Sequence, residues 1–183
     1  MANSLALLLM SFLWPSLVSA PSAAQASFPP QTTSKIEVVY NGSKDKTTVS
    51  LAPVRISGEK DKYHSLHMSP SFSFPGHEPL TPEIINFELR TVVKGKLKID
   101  LYVLFIVDGE KIFLSSSRSG VKRGSLGRGW MAERLVFRMP YETFVKVTKA
   151  KDFQIAFDGL KFSVGETQKQ ALREFLTYMK PDD

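Results

Sequence analysis

Apolar and polar positions alternate along most of this chain, with the period of two that marks strands packed on one face. Ile36, Val38 and Tyr40 share a parity. Thr47, Val49 and Leu51 form a second run, broken at Pro53, and Val54 and Ile56 resume with the opposite parity. That shift predicts a strand with a Pro-marked bulge at a sheet edge. Ile85, Phe87, Leu89 and Val93 alternate with Asn86, Glu88 and Arg90, and the same parity continues through Leu97, Ile99, Leu101, Val103 and Phe105. A three-residue loop at Lys94-Gly95-Lys96 would set Leu89 opposite Leu101 and Phe87 opposite Val103. Asp108-Gly109 predicts a two-residue hairpin pairing Phe105 with Ile112 and Val103 with Leu114. Asp158-Gly159 predicts another, pairing Phe157 with Leu160 and Ile155 with Phe162. Between them, Leu135, Phe137 and Met139 alternate with Arg134, Val136 and Arg138.

Helical spacing occurs twice. Pro140 opens a short helix over 141–150. The stripe Ala171, Leu172, Phe175, Leu176 and Met179 predicts an amphipathic helix over 166–179, and Ser163 to Glu166 has capping-box spacing at its start. The expected fold is mainly β within the α+β class. It is a single antiparallel sandwich or curled sheet of about seven strands, with the C-terminal amphipathic helix packed against it. Parallel crossover units are absent, which argues against a doubly wound nucleotide-binding fold.

The first 34 residues change the picture of where this domain works. They contain no Lys, Arg, Asp or Glu, and Leu5 to Trp14 is almost wholly apolar. The run is too short for a helix to cross about 30 Å of hydrocarbon. Val18-Ser19-Ala20 and Ala24-Gln25-Ala26 suit signal peptidase, so residues 1–26 read as a cleaved secretory signal, with an alternative cut after residue 20. The alternative reading is an uncleaved N-terminal anchor, since no basic side chain precedes the apolar run. Residues 27–34 form a linker, and 35–183 the globular domain. The expected location is secreted or periplasmic, with no membrane-spanning segment after cleavage. The absence of Cys among 183 residues excludes a disulfide scaffold, a cysteine nucleophile and a zinc–thiolate site.

Charge is unevenly placed. Arg118, Lys122, Arg123, Arg128, Arg134 and Arg138 face a single acid, Glu133, within residues 118–138. That stretch carries +5 of the chain's +6, and everything else is close to balanced. Its first half is also rich in glycine, which lets backbone amides approach an anion, while guanidinium groups bind carboxylate or phosphate bidentately. Together with Trp130, these six residues are the expected contact surface for an anionic partner. The candidates are an envelope polymer, a lipid head group or an acidic protein surface. Tyr102 and Phe113 could add an aromatic platform, but export argues against nucleic acid as the partner. The competing reading of this stretch is a solvated loop that is basic for solubility. Gly127-Arg128-Gly129-Trp130-Met131-Ala132 fits G-x-G-x-x-A loosely, but a strand pattern follows where a dinucleotide site needs a helix.

All three His fall in one segment: His64, His67 and His77, near Glu59, Asp61 and Glu78. Three apart, His64 and His67 would share a helix face but lie on opposite faces of a strand. Four prolines between 70 and 82 disfavour a helix, so the segment reads as an irregular aromatic-rich loop, part of it possible strand. A metal-dependent envelope hydrolase built on these His is the competing function. No G-x-S-x-G elbow exists, Asp108 is accounted for by its turn, and Glu88 by outward alternation. The leading expectation is a non-enzymatic binding or scaffolding domain without a cofactor. A structural subunit that pairs through exposed sheet edges is the third possibility.

Overall fold

The computed structural model describes residues 35–58, 64–94, 102–157 and 160–180. The expected signal segment and linker, and the Asp158-Gly159 turn itself, lie outside the described residues. Ten strands are present: β1 (Ile36–Asn41), β2 (Lys46–Leu51), β3 (Val54–Gly58), β4 (His64–Pro75), β5 (Ile84–Lys94), β6 (Tyr102–Val107), β7 (Glu110–Gly127), β8 (Trp130–Pro140), β9 (Phe153–Phe157) and β10 (Leu160–Ser163). Helix α1 (Tyr141–Lys149) joins β8 to β9, and α2 (Glu166–Leu176) follows β10.

Every pairing is antiparallel, and the ladder returns to its start. From β3 it runs through β10, β9, β6, β7, β8 and β5 to β4, and β4 pairs again with β3. The curled sheet of the sequence reading is therefore an eight-stranded ring, with the β1–β2 hairpin added along the second half of β4. Alternation fills it. Ile56, Leu66, Met68, Phe87, Leu89, Phe105, Leu135, Phe137, Ile155 and Phe162 are all buried on its inner face. Phe105 stands 5.4 Å from Phe87 and 5.1 Å from Phe153, ring to ring, both edge-on.

The helices extend this core. α1 packs on α2 and on β5 and β8, and α2 lies along β2 and β3. Phe175 of α2 meets Phe72 at 5.5 Å and Phe144 of α1 at 5.8 Å. Lys169 is buried among them, and its ammonium donates to the carbonyls of Ala150 (3.4 Å) and Lys151 (2.7 Å) and pairs with Glu166 at 3.0 Å. A cation placed just past the end of α1 satisfies the carbonyls of the segment that leaves the helix and lies near the negative end of its dipole.

Three expectations change. Among the described residues the sheet has ten strands rather than about seven: 64–75, expected as a loop, is β4, and the break at Pro53 makes two strands of one, while 118–127, also expected as a loop, lengthens β7. β5 does not pair with β6; its neighbours are β4 and β8, with Leu89 opposite Leu135 and Phe87 opposite Phe137. Two runs of like parity can share an inner face without touching, so parity predicted the burial but not the partner. Pro53 is at a bulge as expected. β2 and β3 form one interrupted strand along β4, with the register slipping by one residue between Ser50↔Ser71 and Val54↔Met68; on the other side the β1 ladder stops at Leu51 and the β10 ladder starts at Ser57, so among the described residues the break falls where the strand is paired on one side only. The capping box does not form. Gly165 is the N-cap, and Glu166 bonds Lys169 and Arg173. The Asp108-Gly109 hairpin has the predicted register, and Asp108 also accepts from the amides of Lys151 (2.9 Å) and Asp152 (2.8 Å).

Phe105→Ala should cost about 3–5 kcal/mol of stability in urea denaturation, since it empties the middle of the ring. Phe113→Ala, on the outer face at 70% exposure, should change stability by no more than about 0.5 kcal/mol.

Candidate functional site

The outer face of the ring differs sharply from its inner one. Strand register sets five basic side chains in one line across five neighbouring strands. Arg55 of β3 is opposite His67 of β4, His67 opposite Arg90 of β5, Arg90 opposite Arg134 of β8, and Arg134 opposite Lys122 of β7. Neighbouring strands are about 4.8 Å apart, so the line is roughly 19 Å long. Arg138, four residues along β8, lies on the same face opposite Asn86. Like charges directly opposite one another destabilise a sheet.

One carboxylate relieves the middle of the line. Glu88, nearly buried beside it, accepts from Arg134 Nε at 2.6 Å and Nη2, and from Arg90 Nε. Burial alone would push the Glu88 carboxyl up, but hydrogen bonds from Arg134 and Arg90 outweigh it and hold the group below its ordinary 4.5. Each guanidinium keeps N–H groups that Glu88 does not use. Arg55, Lys122 and Arg138 have no ion pair among the described residues. Burial pushes His67 below its ordinary 6.5, and the charges of Arg55 and Arg90 push it the same way. The imidazole therefore stays neutral between two cations at neutral pH.

A groove of about 860 Å³ opens beside this line. Lys122, Arg134 and Arg138 line one part of it, and Asn86, Ser115, Phe113 and Thr143 another. Its origin is a bend in β7. From Ser116 to Val121 that strand advances five residues while its partner advances only two, from Phe137 to Leu135. The β6 ladder ends at Ser115 and the β8 ladder begins at Ser116, so the three extra residues bulge out within the β8 ladder. They lie in the chain between the exposed Phe113 and Lys122, which both line the groove.

The predicted contact surface divides. Lys122, Arg134 and Arg138 come together on the outer face. Arg123 has the other parity and pairs at 3.0 Å with Glu133, which is buried on the inner-facing side of β8. Arg128 is exposed in the β7–β8 turn, where it and its flanking glycines have positive φ. Gly127 and Gly129 thus serve a tight turn rather than an amide cradle. Trp130 is half-buried beyond that turn, opposite Lys94 and away from the groove residues. Arg118 lies in β7, and its side chain is outside those described. Residues 118–127 are strand, not loop. Arg55, His67 and Arg90 were missed. They are far from residues 118–138 in sequence, and only the register joins them to Arg134.

His64 and His67 are both in β4, and the side chain of His64 is outside those described. His77 follows β4 and stacks on Tyr40 with centroids 3.9 Å apart. Ten residues of mostly extended chain place it roughly 30 Å from His67. Among the described residues, no group of three or more His, Asp or Glu is arranged to hold a metal.

This chain matches no family model, no curated protein and no solved structure. Its function has to be read from this surface.

The lowered Glu88 value has a definite sign in stability. The contribution is complete above pH 4.5, the ordinary value, and is lost as pH falls through the lower folded value. Urea denaturation between pH 6 and 2.5 should show this acid-side loss, and Glu88→Gln should remove its part of the slope. His67 should titrate below 6.5 in a proton NMR titration, and Arg90→Gln should move it upward.

Proposed function

We propose that this protein is a non-enzymatic binding domain, secreted or periplasmic, whose outer sheet face holds an anionic partner. The observation that carries this reading is the line of Arg55, His67, Arg90, Arg134 and Lys122 across five strands, with Glu88 as the carboxylate among them. Folding alone gains nothing from lining up like charges, and a bound anion would reverse the cost. Glu88 acts as a positioning residue. It fixes two guanidinium planes side by side while leaving donors free on both, which lowers the ordering cost when a ligand arrives. The signal-like sequence of residues 1–26 supports an address outside the cytoplasm, where acidic polymers and head groups are abundant anions. No helix among the described residues is long and apolar enough to cross a membrane.

A second reading has one observation in its favour. β1 ends the sheet, and Val38, Val39 and Tyr40 on it are exposed. An edge of that kind can accept another strand, as a structural subunit would require. Sedimentation at increasing concentration tests it, since strand pairing through β1 should raise the mass and Val39→Lys should abolish the rise.

The leading reading is tested with dextran sulfate as the probe, by fluorescence titration at several salt concentrations. Affinity should fall steadily as salt rises. Lys122→Gln with Arg138→Gln should weaken binding roughly tenfold. Lys44→Gln with Lys46→Gln removes the same charge beside the β1–β2 turn and should matter far less. Equal losses in the two pairs would mean that net charge, not this face, attracts the polymer.

A further inference from the structure

The groove beside the basic line holds more than charge, and its contents narrow the class of ligand. Three features meet there. Lys122, Arg134 and Arg138 supply cations. Asn86, Ser115 and Thr143 supply neutral hydrogen-bonding groups. Phe113 presents a ring that is 70% exposed, on the outer face of β7. A site for bare phosphate chains needs only the first, and a contact with an apolar surface needs only the third. We propose that this groove binds an acidic oligosaccharide, with Phe113 stacking on the face of a sugar ring and the three cations taking its carboxylate or sulfate groups. The inference rests on the anion-binding reading of the outer face and deepens it.

The chemistry matches part by part. The C–H groups on one face of a pyranose carry slight positive charge, and an aromatic face is negative, so the two attract while both shed water. Hydroxyl groups on the sugar both donate and accept, which Asn, Ser and Thr answer in either direction. The guanidinium of Arg138 has no ion pair among the described residues and is free to bind a carboxylate bidentately. An open groove of about 860 Å³ has room for a short stretch of a chain, and a flat membrane surface would not fill it. The slip in β7 falls between Ser116 and Val121, in the chain that links Phe113 to Lys122, and both residues line this one groove.

Isothermal titration of the chain beginning at Lys35 or earlier, with four probes, tests this. The probes are hexagalacturonate, inorganic polyphosphate, neutral maltohexaose and phosphatidylglycerol vesicles. Hexagalacturonate should bind, and Phe113→Ala should weaken it about tenfold while leaving polyphosphate binding unchanged. Lys122→Gln with Arg138→Gln should weaken both. Phe113 is exposed, so its loss leaves the interior intact, and an unchanged urea midpoint confirms that. If Phe113→Ala leaves hexagalacturonate binding unaltered, the sugar assignment falls and the anion-binding reading stands. Vesicle binding that depends on Phe113, with no binding of the free sugar, would overturn it in favour of a lipid surface. Failure of every anionic probe would remove the parent reading and this inference with it.

Discussion

The pairing of β4 with β5 on one side and β3 on the other turns an open sheet into a ring, and the other features depend on that closure. A closed ring has an inside and an outside, so alternation along each strand assigns every side chain to one or the other. Closure also demands strands that change partners. β7 passes from the β6 ladder to the β8 ladder between Ser115 and Ser116 and then slips by three residues against β8, and β2–β3 slips by one residue against β4 at Pro53. Pro53 has no N–H to offer a ladder, so the break costs no hydrogen bond there. The groove on the outer face is a by-product of the first of these two adjustments.

Burial was legible in the sequence to a degree that partnership was not. The inner set from Ile85 to Met139 follows from period-two spacing, the Asp108-Gly109 turn fixed the register of its hairpin through local geometry, and β9 and β10 pair in the register expected for them. The neighbours of β5 did not follow, because hydrophobic pairing between β5 and β8 spans more than forty residues and nothing local encodes it. β4 was obscured by its composition. Ser71 and Ser73 face outward, and Pro70 sits in the strand opposite Phe87, so the segment resembles a loop when read residue by residue. The basic site was half visible for the same reason. Charge counting along the chain finds Lys122, Arg134 and Arg138, whereas Arg55, His67 and Arg90 join them only through the ladder.

The outer face holds its charge under tension. Hydrogen bonds from two guanidinium groups settle on Glu88, and the neighbouring His67 yields by staying neutral. Arg123 is treated differently, since its partner Glu133 is buried and satisfies it from the inner side. The same short stretch of sequence therefore contains an arginine committed to structure and others left available. A count of charges along the chain does not separate them, but strand parity does.

β3 meets β10 at Ser57 with Ser163 and Gly58 with Phe162. This junction joins segments from opposite ends of the described chain, so it closes the longest loop of any described pairing in the ring and carries the largest loop-closure entropy. The helix that follows β10 lies along β2 and β3, and the Gln168 side chain donates to the Arg55 carbonyl at 3.0 Å. α2 thus holds, by its backbone, the strand on which the basic line ends, and the docking of the helix and the position of Arg55 are coupled through that one bond.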